Sequence, residues 1–288
     1  MAEFKVTEPG VYSPSQIPED AYHRDCVPGG SLSQSGAKTL LKEGGPALFA
    51  WQRANPKPRT KAMELGTAAH KLVLGVGQEL HEVKEQDWTT NRAKKARDDA
   101  RAEGKLPLLT KDLATVKAMA AALREHDWAQ RLLTQPGRPE MSAFWQDPDY
   151  KVWRRLRWDY MPEPDPRRRP VIPDYKTAAS AGPKAFAKAL ADFGYHHQGD
   201  WYPAGYAAMF GDRIGDYPVM AFIVQEKEPP YRVAVYQLHP AALKFGRQRN
   251  QEAMRIYREC TENDDWPGYE PGPQVLDLPY WAYKTEDY

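Results

Sequence analysis

Cysteine is scarce: Cys26 and Cys260 are the only two, and they lie far apart in the chain. That spacing supports neither a disulfide framework nor a thiolate metal site, and a reducing cytoplasm is the simpler expectation. No apolar run approaches the roughly 20 residues that a membrane helix requires, so no membrane partner is expected. The opening MAEFKVTEPG lacks the basic-then-apolar pattern of a secretory signal. A charge excess is missing as well. Forty Lys and Arg against 39 Asp and Glu leave +1, so any attraction to a polyanion must come from local clusters. Internal repeats and low-complexity tracts are absent. What is plentiful is aromatic surface: nine Trp and sixteen Tyr in 288 residues can supply the core of one large domain or two small ones.

Residues 1–60 are rich in turn formers (EPGVYSPSQIPEDAY, VPGGSLSQSG). They read as a loop-rich arm packed on the core, with one short helix over residues 33–42 and Ser33 as its N-cap. ANPKPRT reads as a loop. Residues 61–288 form the main domain, the whole being a single unit. Leu65, Ala69, Leu72 and Val73 recur at helical spacing and predict a helix over residues 62–74. NRAKKARDDARAEGK predicts a charged, solvated helix. TKDLATVKAMAAALREHDWAQRLL predicts one continuous helix capped by Thr110, with Leu113, Val116, Met119 and Leu123 as its stripe. His126, with no acid or cysteine pattern around it, reads as structural. SAFWQD and YKVWRRLRWDYM flank the turn DPD and predict a hairpin. RPVIPDYKTAA is a third strand, and PEPDPRRRP a flexible loop before it. GPKAFAKALADFG and HQGDWYPAGYAAMFG predict helices, Pro203 imposing a kink or a late start on the second. YPVMAFIVQE and YRVAVYQLH are strands, and PAALKFGRQRNQEAMRIYREC a closing helix. The expected class is α/β, a mixed central β-sheet flanked by helices, with helical N-terminal elements.

The triplet DYK occurs twice, at residues 149–151 and 174–176. An acid two residues before a lysine suits the cutting of phosphodiester bonds. Alone it says little, since such a triplet arises on the order of once per chain of this length by chance. Glu3 and Lys5, Glu82 and Lys84, and Glu103 and Lys105 fit equally well. The first copy follows Pro148, where turn chemistry accounts for it. The second lies in a strand, so Asp174 and Lys176 share a face with Ile172. Upstream, Arg155, Arg157 and Asp159 share one face of a strand that Asp159 ends. Pairing that strand with VIPDYK brings Asp159 beside Asp174. Two such carboxylates repel unless a cation sits between them, and hard oxygen donors suit Mg²⁺ or Mn²⁺. Lys176 is then placed to polarise a phosphate. His70 lies on a helix one turn after Gly66, where a metal or a strand can approach, although a lone helical histidine is more often structural. Gln198 and Tyr202 face the same way at i, i+4. Glu140, at the mouth of the hairpin, reads as a solvated edge acid.

Taken in order, Gly66-Thr-Ala-Ala-His70, Glu140, Asp159, Asp174-Tyr-Lys176 and Gln198-x-x-x-Tyr202 resemble the RecB-like branch of the PD-(D/E)xK nuclease superfamily. The flanking LGTAAHKLVL, SAFWQDP, YHHQGDWYPAGY, DDWPGY and LPYWA are similar to the nuclease domain of RecE-type exonucleases of phages and prophages. The resemblance covers nearly the whole chain. It implies a restriction-endonuclease-like core and a Mg²⁺-dependent 5′→3′ exonuclease, with Mn²⁺ substituting. Such an enzyme resects linear double-stranded DNA, leaves 3′ single-stranded overhangs and releases 5′-phosphates.

By motif position the resemblance makes His70, Asp159, Asp174 and the Tyr175 carbonyl metal ligands. Lys176 becomes the catalytic lysine acting with Asp159 and Asp174, and Glu140 the early acid that orients water or a second metal. Gln198 and Tyr202 support the site and contact DNA. Arg155 and Arg157 lie near it as further DNA contacts, together with Arg154, and Arg167, Arg168 and Arg169 form a basic loop. A ring-shaped homo-oligomer (tetramer or trimer), a single-strand annealing partner and a bacterial or phage-infected cytoplasm follow from the same resemblance. Two residues depart from the family pattern: Pro173 removes a strand hydrogen bond, and Tyr175 stands where an aliphatic residue is usual. An iron–sulfur nuclease would need four cysteines, so no iron–sulfur cluster is expected. A structure-specific endonuclease and a catalytically silent DNA-binding recombination protein stay as alternatives.

Overall fold

The turn-rich start of the chain carries more helix than its composition predicts. In the computed structural model, which describes residues 4–55 and 61–283, β1 (Gly10–Tyr12) is followed by α1 (Glu19–Arg24), β2 (Leu32–Ser33), α2 (Gln34–Leu40) and α3 (Gly45–Ala54). Ser33 caps α2, its Oγ accepting the Gly36 N–H at 3.1 Å. Helices α1 and α3, unforeseen in a segment read as holding one short helix, begin at residues that look like breakers. Pro18 is the N-cap of α1, and Gly44 and Pro46 open α3, with Gly44 at φ +61°. A proline in a first turn costs no helical hydrogen bond. Residues 56–60 of ANPKPRT, and Glu3, lie outside the described residues.

Next come α4 (Lys61–Leu74), β3 (Leu80–Val83), α5 (Asn91–Ala102), β4 (Leu106–Leu109), α6 (Thr110–Arg124) and α7 (Asp127–Thr134). The continuous helix expected from residue 110 is therefore two helices. His126 sits at the break, its Nδ1 accepting the Ala129 N–H at 3.3 Å and capping α7. Thr110 is no cap for α6; its hydroxyl donates to Glu82 Oε1 at 2.8 Å.

The strand-rich half holds β5 (Gly137–Pro139), β6 (Ser142–Gln146), β7 (Trp153–Arg157), β8 (Tyr160–Pro162) and β9 (Val171–Ala178). Then follow α8 (Pro183–Asp192), α9 (Tyr195–Phe210), β10 (Val219–Glu226), β11 (Val233–Tyr236) and α10 (Pro240–Asn263). One mixed sheet has the order β1-β6-β7-β2 and a second the order β11-β10-β9. β6 and β7 form the hairpin, and its turn is the first DYK. Asp147 Oδ1 accepts the N–H of Asp149 and of Tyr150 at 3.1 Å each, and Lys151 is left-handed at φ +57°. Pro203 falls inside α9, which starts early, at Tyr195. α9 packs on β6, β7 and β10, with α10 against it, while α4 and α6 lie against β9 and β10. Among the described residues no helix is long and apolar enough to cross a membrane.

β9 and β10 run parallel, with Asp174 opposite Phe222 and Lys176 opposite Val224. Both faces of this pair are buried, as parallel strands require. Ile172, Phe222 and Val224 join a core with Leu156, Trp158 and Trp201; Tyr175 and Ile223 join another with Leu108 and Met119. The Tyr175 side chain thus lies in core, and its hydroxyl donates to Gln225 Oε1 at 2.6 Å. The Gln225 amide in turn donates to Met119 O at 2.8 Å and Tyr231 O at 3.2 Å. Tyr175→Phe leaves Gln225 Oε1 buried without that donor and is expected to cost about 1–3 kcal/mol. Urea unfolding checks this as a lower midpoint at unchanged slope.

Candidate active site

The alternation of β9 turns Asp174 and Lys176 to one side and Tyr175 to the other. Asp174 is 3% exposed. Its Oδ1 accepts from Gln198 Nε2 at 2.5 Å, and Lys176 Nζ lies 2.7 Å from its Oδ2. At that distance the lysine contact is a close, charge-assisted pairing of two buried groups. Burial, countered by Lys176 and reinforced by Asp159, leaves the Asp174 carboxyl raised to about 6. Burial alone would lower the Lys176 ammonium, but the Asp174 and Asp159 carboxylates outweigh it and hold it above the ordinary lysine range. The Lys176 Nζ also stands 5.2 Å from the centre of the Tyr195 ring.

Asp159 reaches this pair by a route other than strand pairing. β7 ends at Arg157 and does not pair with β9; the chain bends at Asp159 and resumes as β8. β9 is an edge strand, and the Asp159 side chain takes the place of a neighbour: its Oδ2 accepts the Tyr175 N–H at 2.8 Å. His70, on α4, approaches from the other side. Its Nε2 is 3.1 Å from the Tyr175 carbonyl oxygen and its Nδ1 3.7 Å from Asp159 Oδ2. A Cβ added to Gly66, one turn before His70, would meet nothing within 4 Å.

Glu140 is no free edge acid. It is left-handed at φ +55°, its N–H donates to Asp159 O at 3.0 Å, and its carboxylate accepts from Arg157 Nε at 3.0 Å. Burial and then the Asp159 charge raise its carboxyl, against the pull of Arg157 and His70. Tyr202, one turn after Gln198 on α9, has its hydroxyl raised well above normal by burial and by Tyr22, Asp174 and Asp159.

The arginines serve as struts. Arg155 Nη1 holds Ser31 O at 2.7 Å and Asp25 Oδ2 at 2.6 Å. Arg157 Nη1 reaches Ile17 O and Ser142 Oγ at 3.2 Å each. Both tie the N-terminal arm to β7. Arg154 is buried on the opposite face, over Trp145 and Trp201 and 3.0 Å from Asp147, not near the site. Arg167 and Arg168 lean on Asp165, and Arg169 on Tyr217 O and Asp216.

Glu140, Arg155, Arg157, Lys176, Gln198 and Tyr202 open on a cavity of about 560 Å³ whose walls include α1, α2 and α3 as well as β7 and α9; Asp174 lies behind Lys176 and Gln198 and does not line it. Tyr22, Lys38, Arg53 and Tyr195 line it. Tyr195 opens the YHHQGDWYPAGY stretch; the other three belong to no short motif, and only the packing of the arm on the core reveals them. The donor set fits a hard divalent cation. His70 Nε2 and the Tyr175 oxygen are 3.1 Å apart, close to the roughly 3 Å between adjacent ligands of an octahedral ion with bonds of about 2.1 Å. Asp174 Oδ2 is a buried anion beside Lys176, and Asp159 gives only Oδ2 to the backbone. Among the described residues no three His, Cys, Asp or Glu side chains converge on one point; the donors found close together are His70, the Tyr175 carbonyl and Asp159.

Residues 33–273 match the family model of a PDDEXK-like domain of unknown function. Among solved structures, the crystal structure of a "Putative exonuclease" from Eubacterium rectale matches with a TM-score of 0.61 at 12% identity, over 93% of this chain and 95% of that one. That likeness is one of fold. No curated protein matches the chain in sequence.

Proposed function

The chain belongs to the PDDEXK-like domain family, and from that premise we propose that it is a Mg²⁺-dependent deoxyribonuclease, a 5′→3′ exonuclease that resects linear duplex DNA. The observation that carries the proposal is the buried pair of Asp174 and Lys176, 2.7 Å apart, with Asp159 on the Tyr175 N–H, His70 at its carbonyl, and Lys176 lining the cavity. His70, Asp159, Asp174 and the Tyr175 carbonyl would hold the ion. Once bound, Mg²⁺ supplies Lewis acidity and a water of lowered pKa.

The remaining work falls to side chains. Lys176 donates to the non-bridging oxygens of the attacked phosphate, where charge grows as the nucleophile closes. Gln198 fixes the Asp174 carboxylate through its amide, so that Oδ2 keeps its place beside Lys176. Glu140, its carboxyl raised by burial, is placed to accept a hydrogen bond from an incoming water. Tyr202 and the arm wall bear on the nucleotide. The leaving group is the 3′ oxygen, which makes the products 5′-phosphates; digestion from the 5′ end would leave 3′ overhangs suited to an annealing protein. A ring of subunits would keep the enzyme on its strand.

The test is digestion of linear against covalently closed circular duplex DNA with Mg²⁺. The linear form is expected to disappear, with acid-soluble 5′-phosphorylated nucleotides released, while the circle persists. Cutting of both at similar rates would replace the exonuclease with an endonuclease. Loss of neither would leave a DNA-binding protein.

A further inference from the structure

Beside Lys176 the cavity holds a second lysine, Lys38 of α2. Its stem crosses Gly194 at the start of α9, and a Cβ on Gly194 would come within 2.7 Å of Lys38 Cδ. Gly194 is also left-handed at φ +63°, so both the backbone and the lysine require a glycine there. Gln34 pins the same loop, its Nε2 donating to Gly194 O at 3.3 Å. The Lys38 ammonium donates to the Phe193 carbonyl at 2.5 Å.

Its electrostatic position differs from that of its neighbours. Arg24 pairs with Asp20, Arg53 and Arg155 with Asp25, Arg157 with Glu140, and Lys176 with Asp174. Among the described residues, no carboxylate stands in ion-pair range of Lys38. Burial, then Lys176 and Lys42, hold its ammonium below the usual lysine range. An ammonium held in a cavity, with a carbonyl as its one hydrogen-bond partner among the described residues, is short of an anion.

We propose that Lys38 binds a phosphate of the cleaved strand, next to the one that Lys176 contacts. The proposal rests on the nuclease reading and adds to it a site for the substrate backbone. Because the contact is to phosphate, it carries no base preference.

The test is binding of a fluorescently labelled duplex in EDTA, followed by anisotropy over a range of salt. Lys38→Gln keeps most of the stem that packs on Gly194, and Lys38→Ala removes it. Each is expected to weaken binding about tenfold and to lower the slope of log affinity against log salt by about one. Lys42→Ala removes the same charge from a lysine that does not line this cavity, and is expected to change affinity less than about twofold. Parental affinity and slope in Lys38→Gln, from a parent that does bind, would overturn the Lys38 assignment alone. A parent chain that neither binds nor digests duplex DNA would overturn that assignment and the nuclease reading together.

Discussion

Asp174→Asn is expected to reduce digestion of linear duplex DNA by at least about a thousandfold, with no recovery at high Mg²⁺. The substitution keeps the shape of the side chain and removes its charge. Gln198 can still meet an amide oxygen in place of Oδ1, so the link from β9 to α9 survives. What disappears is the buried anion at Oδ2. Protonation makes the same change in the parent protein, because the Asp174 carboxyl is pushed up to about 6 by burial. Below that pH the group holds a proton, and a cation has to displace it. Mn²⁺ affinity is therefore expected to fall about tenfold per unit as pH drops below about 6. In Asp174→Asn the Asp174 contribution to that limb is lost and affinity is low throughout. Calorimetric titration with Mn²⁺ between pH 5 and 8 separates the two cases. A parent whose Mn²⁺ affinity is flat across that range would remove Asp174 from the ligand set.

Lys176→Ala is expected to lower turnover by about 10²–10³-fold, the usual loss when one donor to a developing oxyanion is removed. Its signature differs from that of Asp174→Asn. The carboxylate remains, so Mn²⁺ still binds at neutral pH. Lys176 pulls the Asp174 carboxyl down; without it that carboxyl rises further, and the acid limb of Mn²⁺ binding moves to higher pH. Single-turnover digestion at saturating metal and DNA reads the chemical step, and the titration reads the shifted limb. Lys176→Arg keeps the charge but not the compact ammonium that fits 2.7 Å from Oδ2, so it is expected to recover little. Full activity in Lys176→Ala would remove the lysine from the mechanism.

The parts of this site that lie on one element are legible in the sequence. Period two in a strand puts Asp174 and Lys176 on one face, and the i, i+4 spacing joins Gln198 to Tyr202. Relations between elements are less legible. Asp159 was expected to arrive by strand pairing, yet β7 stops short and the carboxylate itself takes the Tyr175 N–H. Nothing in the local pattern of WRRLRWD distinguishes a strand that continues from one that bends after Arg157. The helices α1 and α3 were hidden by proline and glycine, which both open helices and break them. Lys38 and Tyr22 were invisible because they matter only where the arm folds back on the core. Arg155 and Arg157 do share a face as their spacing requires, but that spacing says nothing of Asp25, Ser31 and Ile17, which hold them.

The hydrogen bond from the Tyr175 N–H to Asp159 bears on how an inactive protein should be made. Asp159 is both a candidate ligand and, among the described residues, the acceptor for that edge donor of β9. Removing it would expose a strand edge of the kind that recruits other strands, so an Asp159 variant that failed to cut DNA could owe the failure to clumping. Asp174 takes no part in closing the edge. For trapping an intact DNA complex, the silent version of this protein should therefore be built at Asp174.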